Sequence, residues 1–260
     1  MREYVAFEHR LRHCKNVITL GVRPNFSDYA DWEKDLIRNS SVIYYPTAFY
    51  ADILDTIGKR TFPNYNTYKF TQDKIKQTAL FHLLDISHPK TRVFYGNRQK
   101  SAILNHFQFP LIAKIPRGSA LGKGVYLIRN QDELTAYCDL THVAYIQEYL
   151  EIDRDLRVVI MGHRIIHAYW RIMPKGDFRT NLSQGGTVSF DDIPTQGLDL
   201  ALDTARRCRF DDVGLDIFYA RGKYWVIEAN MKYGKKGFRK AGIDYYQLVE
   251  KMIDRGELLD

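Results

Sequence analysis

The stretch VGLDIFYARGKYWVIEAN, residues 213–230, consists of two apolar runs on either side of a short polar segment. This pattern predicts a β-hairpin. Because residues two apart in a strand point to the same face of a sheet, Glu228 and Asn230 project together. Their neighbours in the strand point the other way, into a core. The hairpin therefore presents a carboxylate and an amide oxygen on one face.

Whether Asp216 joins this face depends on the length of the hairpin loop. In a three-residue loop centred on Gly222, Asp216 lies directly opposite Glu228. A two-residue loop would shift the pairing by one position and turn Asp216 to the other face. Three-residue loops with a left-handed glycine are common in hairpins, so we predict the three-residue loop.

Two carboxylates and an amide oxygen on one face form a set of hard oxygen ligands. Such a set suits Mg²⁺, with Mn²⁺ as the alternative ion, because the metal can keep waters and phosphate oxygens as further ligands. The other interpretation is that Asp216 and Glu228 are surface charges on a solvated face. Both lie in otherwise apolar strands, where neighbouring carboxylates repel each other unless a cation lies between them. We therefore predict a metal site formed by Asp216, Glu228 and Asn230.

A glycine-rich segment, KIPRGSALGKGV at residues 114–125, lies between two predicted strands. Glycines allow backbone N–H groups to turn toward a ligand and to approach phosphate oxygens closely. The segment is not a Walker P-loop, which needs four residues between its glycines and Ser or Thr after the lysine. On its own it is equally compatible with a solvated hairpin loop. The residues of interest are Lys114, Gly118, Ser119, Gly122, Lys123 and Gly124.

Arginines form a third group of candidate functional residues. Arg157 and Arg171 lie on two predicted strands joined at Gly162, in apolar surroundings that indicate partial burial. Arginine cannot lose its charge, so a partly buried arginine implies an anionic partner. That partner is either a bound anion or a carboxylate near in sequence, namely Asp153, Asp155 or Asp177. The full group consists of Arg157, Arg171, Arg179 and Asn181.

The overall composition is that of a folded globular protein, with 260 residues, 45% hydrophobic and 27% charged. No apolar run approaches the ~18 residues of a membrane span, and residues 1–20 lack the apolar core of a secretory signal. The net charge is +7, but Lys and Arg are scattered along the chain, which does not favour nucleic acid as a partner. Three widely spaced cysteines, Cys14, Cys138 and Cys208, suit the reducing cytoplasm.

Residues 1–70 predict a small α/β unit in the order β-α-β-α, which implies parallel strands. Its predicted strands are 16–22 and 41–45, and its predicted helices are 28–38, capped by Ser27, and 47–58. An amphipathic helix is then predicted to begin at Thr71. Strand and helix patterns continue from there to the C-terminus.

Taken together, these residues resemble the RimK-type carboxylate–amine ligases of the ATP-grasp superfamily, which include relatives in lysine and glutathione biosynthesis. The matching motifs, in family order, are DKIKQTAL (73–80), PLIAK (110–114), GSALGKGV (118–125), QEYL (147–150), DLRVV (155–159), GDFRTNL (176–182), GLDI (214–217) and EAN (228–230). The resemblance implies an α+β, ATP-grasp fold whose two lobes grip ATP. The implied domains are a short α/β unit at 1–70, a small lobe with the glycine-rich lid at 71–147, and a C-terminal lobe with the metal site at 148–260.

The resemblance also implies roles in nucleotide binding. Lys74 and Lys114 would contact the ATP phosphates, and the glycine-rich segment would close over them. The backbone of residues 147–150 would read the adenine edge, and Asp155 would bind the ribose. The implied nucleotide residues are Lys74, Lys114, Gly118, Ser119, Gly122, Lys123, Gly124, Gln147, Glu148, Tyr149, Leu150 and Asp155.

The implied reaction has two steps. A substrate carboxylate attacks the γ-phosphate of ATP and forms an acyl phosphate, and an amine then displaces phosphate to form an amide. Arg157, Arg171, Arg179 and Asn181 would face the transferred phosphate and the substrate carboxylate. The substrates are small molecules or peptides whose identity stays open, as does homo-oligomerisation. The alternative function is a non-catalytic ATP-binding sensor with the same fold.

Overall fold

The structure, a computed structural model, describes residues 4–116, 124–174 and 186–259. The helices are α1 (Asp31–Asn39), α2 (Thr47–Thr56), α3 (Tyr65–Thr71), α4 (Lys74–Leu83), α5 (Gly96–Lys100), α6 (Gln131–Leu140), α7 (Thr195–Cys208), α8 (Lys236–Lys240) and α9 (Tyr245–Asp254). The strands are β1 (Tyr4–Ala6), β2 (Val17–Thr19), β3 (Val42–Tyr44), β4 (Arg60–Phe62), β5 (Thr91–Tyr95), β6 (Leu111–Lys114), β7 (Val125–Ile128), β8 (Val143–Glu148), β9 (Arg154–Met161), β10 (Arg164–Ile172), β11 (Thr187–Ser189), β12 (Asp212–Ala220) and β13 (Lys223–Asn230). No helix in this described part of the chain combines the length and apolar character needed to cross a bilayer.

The first sheet has four strands in the order β2-β1-β3-β4, and all of its pairings are parallel. The predicted β-α-β-α arrangement with parallel strands is therefore confirmed. The sequence pattern missed β1, because only three residues of this strand precede a polar segment. The predicted start of the next helix was wrong: α1 begins at Asp31, and Ser27 lies in a preceding 3-10 turn. The Glu33 carboxylate accepts from the Ala30 amide at 2.7 Å and so fixes the first turn of α1.

The predicted start of the amphipathic helix at Thr71 was wrong: the helix is α4, which begins at Lys74, and Thr71 is the last residue of α3. Asn64 caps α3, which ends at Thr71, by accepting from the Thr67 amide at 2.8 Å. Asp73 then caps α4 by accepting from the Ile75 amide at 3.0 Å. An Asp at the N-cap satisfies amides that the first turn leaves unpaired, so it sets where a helix begins. As a result, Lys74 lies at the first position of α4.

The second sheet is antiparallel, with the strand order β5-β8-β6-β7. Its apolar side chains, such as Phe94, Leu111 and Ile146, form a core with residues of α6. The Tyr137 hydroxyl of α6 donates to the Lys114 carbonyl at 2.6 Å and accepts from the Tyr145 amide at 3.1 Å. This tyrosine therefore fixes the end of β6, where Lys114 lies.

The third sheet is antiparallel, with the strand order β11-β10-β9-β12-β13. One face is apolar, and α7 packs against it through buried side chains such as Ala201 and Ala205. Part of the opposite face packs against the first sheet and α9 through Val159 and Met161. The predicted turn at Gly162, between β9 and β10, is present with a positive φ of 62°. The rest of this opposite face carries charged side chains.

Asp211 joins α3 to the third sheet just before β12. The backbone N–H of Asn64 donates to both carboxylate oxygens of Asp211, to Oδ1 at 3.0 Å and to Oδ2 at 2.9 Å. The Thr67 hydroxyl donates to Oδ1 at 2.8 Å. Burial raises the pKa of Asp211 to about 7, and the neighbouring Asp212 contributes to the rise. The carboxyl group therefore keeps its proton in the folded protein at a pH where an exposed aspartate is ionised.

This raised pKa of Asp211 predicts that stability falls as the pH rises. The unfolded chain releases the proton near pH 3.8, whereas the folded protein releases it near pH 7. The free energy of unfolding therefore gains a contribution below pH 7 that is lost as the pH rises through 7, about 2–3 kcal/mol between about pH 5 and about pH 8. Urea unfolding at both pH values should show this loss in the wild type, and Asp211→Asn should remove most of it. The exposed Asp199→Asn is the control, and an unchanged pH difference in Asp211→Asn would contradict the interpretation.

Candidate active site

Strand register brings the predicted site residues to one face of the third sheet. Asp155 and Arg157 are two apart on β9 and therefore point the same way. Arg171 of β10 pairs with Asp155, and Asp216 of β12 pairs with Arg157. On the next strand, Glu228 pairs with Asp216. Four neighbouring strands thus contribute charged side chains to one polar area.

The hairpin that carries Asp216 and Glu228 does not have the predicted three-residue loop. Ala220 pairs with Lys223, so the turn has two residues, Arg221 and Gly222, with φ values of 51° and 79°. The register shifts between the Ile217–Val226 pair and the Asp216–Glu228 pair, leaving Ile227 as an extra residue in a β-bulge. A two-residue turn alone would pair Asp216 with Ile227. Because Ile227 is the extra residue of the bulge, Asp216 pairs with Glu228 instead. Asp216, Glu228 and Asn230 therefore share a face as predicted, although for a different reason.

Two arginines hold the buried carboxylate of Asp216. Arg157 contacts both of its oxygens, through Nε to Oδ1 and through Nη2 to Oδ2 at 3.0 Å. Arg171 reaches Oδ2 through Nη2 at 2.9 Å. Burial would raise the pKa of Asp216, but Arg157 and Arg171 hold it below its ordinary value. Asp216 is therefore an ionised carboxylate inside the protein rather than a surface charge.

The partners of Arg157 and Arg171 are carboxylates and a carbonyl group of the chain. The side chain of Asp155 is 2% exposed, and both of its oxygens accept from Arg171, Oδ1 at 2.7 Å and Oδ2 at 2.5 Å. Arg157 donates its remaining Nη1 to the Tyr233 carbonyl at 2.9 Å. Arg171 thus pairs with Asp155, one of the predicted carboxylates, whereas Arg157 pairs with Asp216, which was not among them. The buried position of Asp155 favours a role in orienting Arg171 over the expected ribose contact.

Two lysines from other elements lie beside this network. The Lys74 ammonium is 3.1 Å from Oε1 of Glu228, which connects the start of α4 to β13. Lys114, at the end of β6, is 5% exposed. Burial lowers the pKa of Lys114 to about 8, while Glu228 and Asp216 act to raise it and Lys74 acts to lower it. The charges of both lysines therefore act at Glu228, the carboxylate that the arginines leave free.

The segment 147–150 links the second and third sheets. The side-chain Nε2 of Gln147 donates to the Thr91 hydroxyl at 2.9 Å. The Glu148 carboxylate accepts from Arg221, in the hairpin turn, at 2.8 Å. These side chains hold the segment in place. The backbones of Tyr149 and Leu150 make no hydrogen bond to another residue of the described ranges. Within residues 4–116, 124–174 and 186–259, the N–H and C=O groups of Tyr149 and Leu150 therefore have no backbone partner.

Several predicted residues lie outside the described residues: Gly118, Ser119, Gly122, Lys123, Arg179 and Asn181. Gly124, at the end of the glycine-rich segment, is described and has a φ of 75°. Its carbonyl accepts from the Ile115 amide at 2.8 Å, which brings the two ends of the segment together. A left-handed backbone at this position favours glycine over other residues.

Asp212, Gly214 and Tyr233 were missed by sequence reasoning. Asp212 and Gly214 precede Asp216 by four and two positions on β12, so period-two spacing could have identified the same face. A Cβ at Gly214 would lie 2.4 Å from Cβ of Tyr233, so only glycine allows the Tyr233 backbone to approach Arg157. No local pattern pointed to Tyr233, because its role depends on a carbonyl group.

The three residues predicted to bind Mg²⁺ lie on this face, where the Asp216 oxygens pair with Arg157 and Arg171 and the Asn230 oxygen accepts from the Lys232 backbone N–H. Glu228 offers a carboxylate that is 21% exposed, and Asn230 offers an amide oxygen two positions along the strand. Asp216 would complete the set. Among the described residues, no group of three or more His, Cys, Asp or Glu side chains that could hold a metal is present.

Comparison with known proteins identifies the family. The sequence model of the RimK-like ATP-grasp domain matches residues 71–254. The chain belongs to the RimK-like ATP-grasp family. The resemblance drawn from the motifs is thereby confirmed.

Two curated relatives of this RimK-like chain are ligases by name. It is 31% identical over 218 residues to the coenzyme gamma-F420-2:alpha-L-glutamate ligase of Methanocaldococcus jannaschii, covering 79% of this chain and 74% of that protein. It is 29% identical over 192 residues to the ribosomal protein bS6–L-glutamate ligase of Escherichia coli, covering 71% of this chain and 64% of the relative. The ligase class expected from the sequence agrees with these relatives.

Solved structures show the same ATP-grasp fold. A RimK domain protein from Sphaerobacter thermophilus superposes with a TM-score of 0.72 at 14% identity, covering 99% of this chain and 100% of the other. D-alanine–D-alanine ligase from Bacillus anthracis, in complex with ATP, gives 0.66 at 15% identity and covers 97% of both chains. The predicted α+β ATP-grasp fold is confirmed.

The network around Asp216 predicts a large loss of stability in Asp216→Asn. The substitution leaves two buried guanidinium groups without one of their carboxylates, and removing one partner of a buried ion pair costs about 3–5 kcal/mol. Urea unfolding measures this loss. The control is Asp153→Asn, because Asp153 is 80% exposed beside Arg154 and such surface pairs contribute about 0–1 kcal/mol. Equal losses in both variants would contradict the network as described.

Proposed function

We propose that the protein is an ATP- and Mg²⁺-dependent ligase that activates a carboxylate as an acyl phosphate and joins it to an amine. The observation that carries this proposal is the meeting of Lys74, Lys114 and Glu228 beside the buried Arg157–Asp216 pair. Two lysines and a carboxylate from three elements converge there. This arrangement fits a metal-bound triphosphate.

Each part of the site has a role in this proposal. Lys74 and Lys114 neutralise phosphate oxygens, and the free backbone of residues 149–150 pairs with the adenine edge. Mg²⁺, held by Glu228, Asn230 and Asp216, would supply charge neutralisation between the phosphates. The glycine-rich segment closes over the triphosphate and excludes water, which protects an acyl phosphate from hydrolysis.

Arg157 and Arg171 serve the phosphoryl transfer. Such a transfer needs positioning and cancellation of spread negative charge rather than a protein nucleophile. Both guanidinium groups are held in place by Asp155 and Asp216, so their positive charges are positioned before the substrate binds. Arg179 and Asn181 complete the group in our proposal. The carboxylate oxygen attacks the γ-phosphorus, ADP leaves, and the amine nitrogen then displaces phosphate from the acyl carbon.

The relatives give a starting point for the substrates. Both are named as L-glutamate ligases, one acting on a coenzyme and the other on a ribosomal protein. We therefore propose an L-amino acid, with L-glutamate as the first candidate, as the amine. The carboxylate belongs to a small molecule or a peptide.

This function predicts that Glu228→Gln lowers turnover without unfolding the protein. Removing one electrostatic contact to the transferred group typically costs about 10²–10³ in rate. ADP release is measured with Mg²⁺, ATP, pooled carboxylates and pooled L-amino acids. The exposed Asp139→Asn on α6 is the control and should keep the wild-type rate.

Two results would contradict the proposal. ATP binding without ADP release under any substrate pool would favour the non-catalytic sensor. ADP release that is equal in the wild type and in Glu228→Gln, with both folded, would remove Glu228 from the site.

A further inference from the structure

A glutamine side chain covers the outer edge of the third sheet beside the proposed active site. Among the strands of the described residues, β13 is the last in the order β11-β10-β9-β12-β13 and pairs with β12 alone. Gln77 of α4 donates from Nε2 to the carbonyl of Ala229 in β13 at 2.8 Å, and its Oε1 accepts from the backbone N–H of Ala229 at 2.9 Å. One side-chain amide thus exchanges two hydrogen bonds with one residue, as a neighbouring strand would.

This side-chain amide is fully hydrogen-bonded. Gln77 is 4% exposed, and its Nε2 donates a second hydrogen bond to the Phe70 carbonyl of α3 at 3.1 Å. A glutamine amide has two donor hydrogens and one acceptor oxygen, and here both hydrogens and the oxygen have partners. Buried polar groups are normally paired in this way, so the orientation of the side chain is fixed.

The residue that Gln77 holds lies between two predicted site residues. Ala229 follows Glu228 and precedes Asn230, and its own side chain is buried in the apolar core that includes residues of α7. Neighbouring residues of a strand point to opposite faces of the sheet. Holding the Ala229 backbone therefore sets the position from which the Glu228 and Asn230 side chains project.

Gln77 also shares a side of α4 with the lysine that meets Glu228. Residues three apart on a helix are neighbours, so Lys74 and Gln77 face the same strand. The Lys74 ammonium is 3.1 Å from Oε1 of Glu228. α4 therefore contacts β13 through a charge pair and, one turn further along, through a neutral amide that bonds the backbone.

The next residue of α4, Thr78, connects the helix to the second sheet. Its hydroxyl is 2.6 Å from the Tyr145 hydroxyl, and both groups are buried. Tyr145 of β8 pairs with Lys114 of β6, and the Lys114 ammonium lies 5.9 Å from the centre of the Tyr145 ring. Residues 74–78 of α4 thus contact both the strand that carries Glu228 and the strand that pairs with Lys114.

We infer that Gln77 is a positioning residue for the proposed phosphate site: its amide fixes the backbone beside Glu228 and thereby the distance from Glu228 to Lys74. The inference rests on the ligase function proposed above and adds a residue that acts through Glu228 rather than on ATP. Charged groups assist phosphoryl transfer most when they are held in place before the substrate binds. A neutral amide does this without adding a charge to the pair.

The alternative is that Gln77 only attaches α4 to the sheet. Ser87 offers a matched comparison, because it bonds the same strand farther from Glu228. The Ser87 carbonyl accepts from the backbone N–H of Val226 at 2.8 Å, and its hydroxyl donates to the Tyr224 carbonyl at 3.2 Å. Ser87→Ala removes the hydroxyl bond and so weakens the attachment of this strand away from the charged pair.

The first test is the rate of ADP release by Gln77→Met. Methionine has a similar length but does not form the two hydrogen bonds with the Ala229 backbone. We expect kcat to fall about tenfold to hundredfold and the KM for ATP to rise about threefold, since small displacements of catalytic groups mainly slow the reaction. Ser87→Ala should keep kcat within about twofold of the wild type, because catalytic groups stay in place. A wild-type kcat in folded Gln77→Met would overturn the inference and leave the ligase function standing.

A double-mutant cycle with Lys74→Met separates positioning from attachment. If Gln77 acts through the Lys74–Glu228 pair, Gln77→Met should lower kcat less than about threefold once Lys74 is already replaced, because residues of one network are not additive. Equal fold-changes in both backgrounds would overturn the inference. If Gln77→Met does not fold, Gln77→Asn takes its place in the cycle, because its amide is one methylene too short to pair with both Ala229 groups.

Failure of the ligase function is distinguishable from failure of this inference. If the wild type releases no ADP with any substrate pool but binds a non-hydrolysable ATP analogue, the same cycle is measured on the dissociation constant of the analogue. A loss of affinity of about threefold in Gln77→Met that disappears in the Lys74→Met background supports the positioning role. Equal losses in both backgrounds, or none, overturn it. Wild-type protein that does not bind the analogue overturns both the inference and the function.

Discussion

The buried carboxylate of Asp216, held between Arg157 and Arg171, is the interaction on which the rest of the site depends. The three side chains come from β12, β9 and β10, so their contacts fix three strands relative to one another. Charges inside a protein are tolerated only when they are paired and hydrogen-bonded. The network satisfies this condition with two carboxylates and two guanidinium groups, since Asp155 completes it. It also leaves Glu228 as the carboxylate that faces the lysines.

One face of the third sheet has an apolar part and a charged part. Toward one end, Val159 and Met161 pack against the first sheet and the C-terminal helix. Toward the other end, the charged network faces Lys74 and Lys114. Asp212 and Tyr233 lie at the boundary, where hydrogen bonds connect Tyr233 through Asp212 to Arg10 in the 3-10 turn after β1.

Much of the fold could be predicted because the relevant signals are local. Period-two alternation identified the face shared by Glu228 and Asn230, and the order of strands and helices predicted the parallel first sheet. The bulge at Ile227 could not be predicted, because it depends on the pairing of two strands rather than on either sequence. The start of α4 was misplaced, since Asp73 caps the helix two residues after Thr71 and the helix begins at Lys74.

The candidate site was predicted less completely than the fold. The sequence identified Arg157 and Arg171 as buried and in need of an anion, but it left open whether the anion was a carboxylate of the chain. That choice depends on which strands are neighbours in the sheet. The glycine-rich segment and Arg179 remain predictions.

The account centres on a metal-dependent nucleotide site where Lys74, Lys114 and Glu228 meet. Calorimetric titration of the wild-type protein with a non-hydrolysable ATP analogue, with and without Mg²⁺, tests it most directly. The account predicts one site per chain that requires Mg²⁺ and that weakens about tenfold or more in Lys114→Met, because a buried charge–phosphate contact is lost. Folded wild-type protein that shows no Mg²⁺-dependent heat of binding would contradict it.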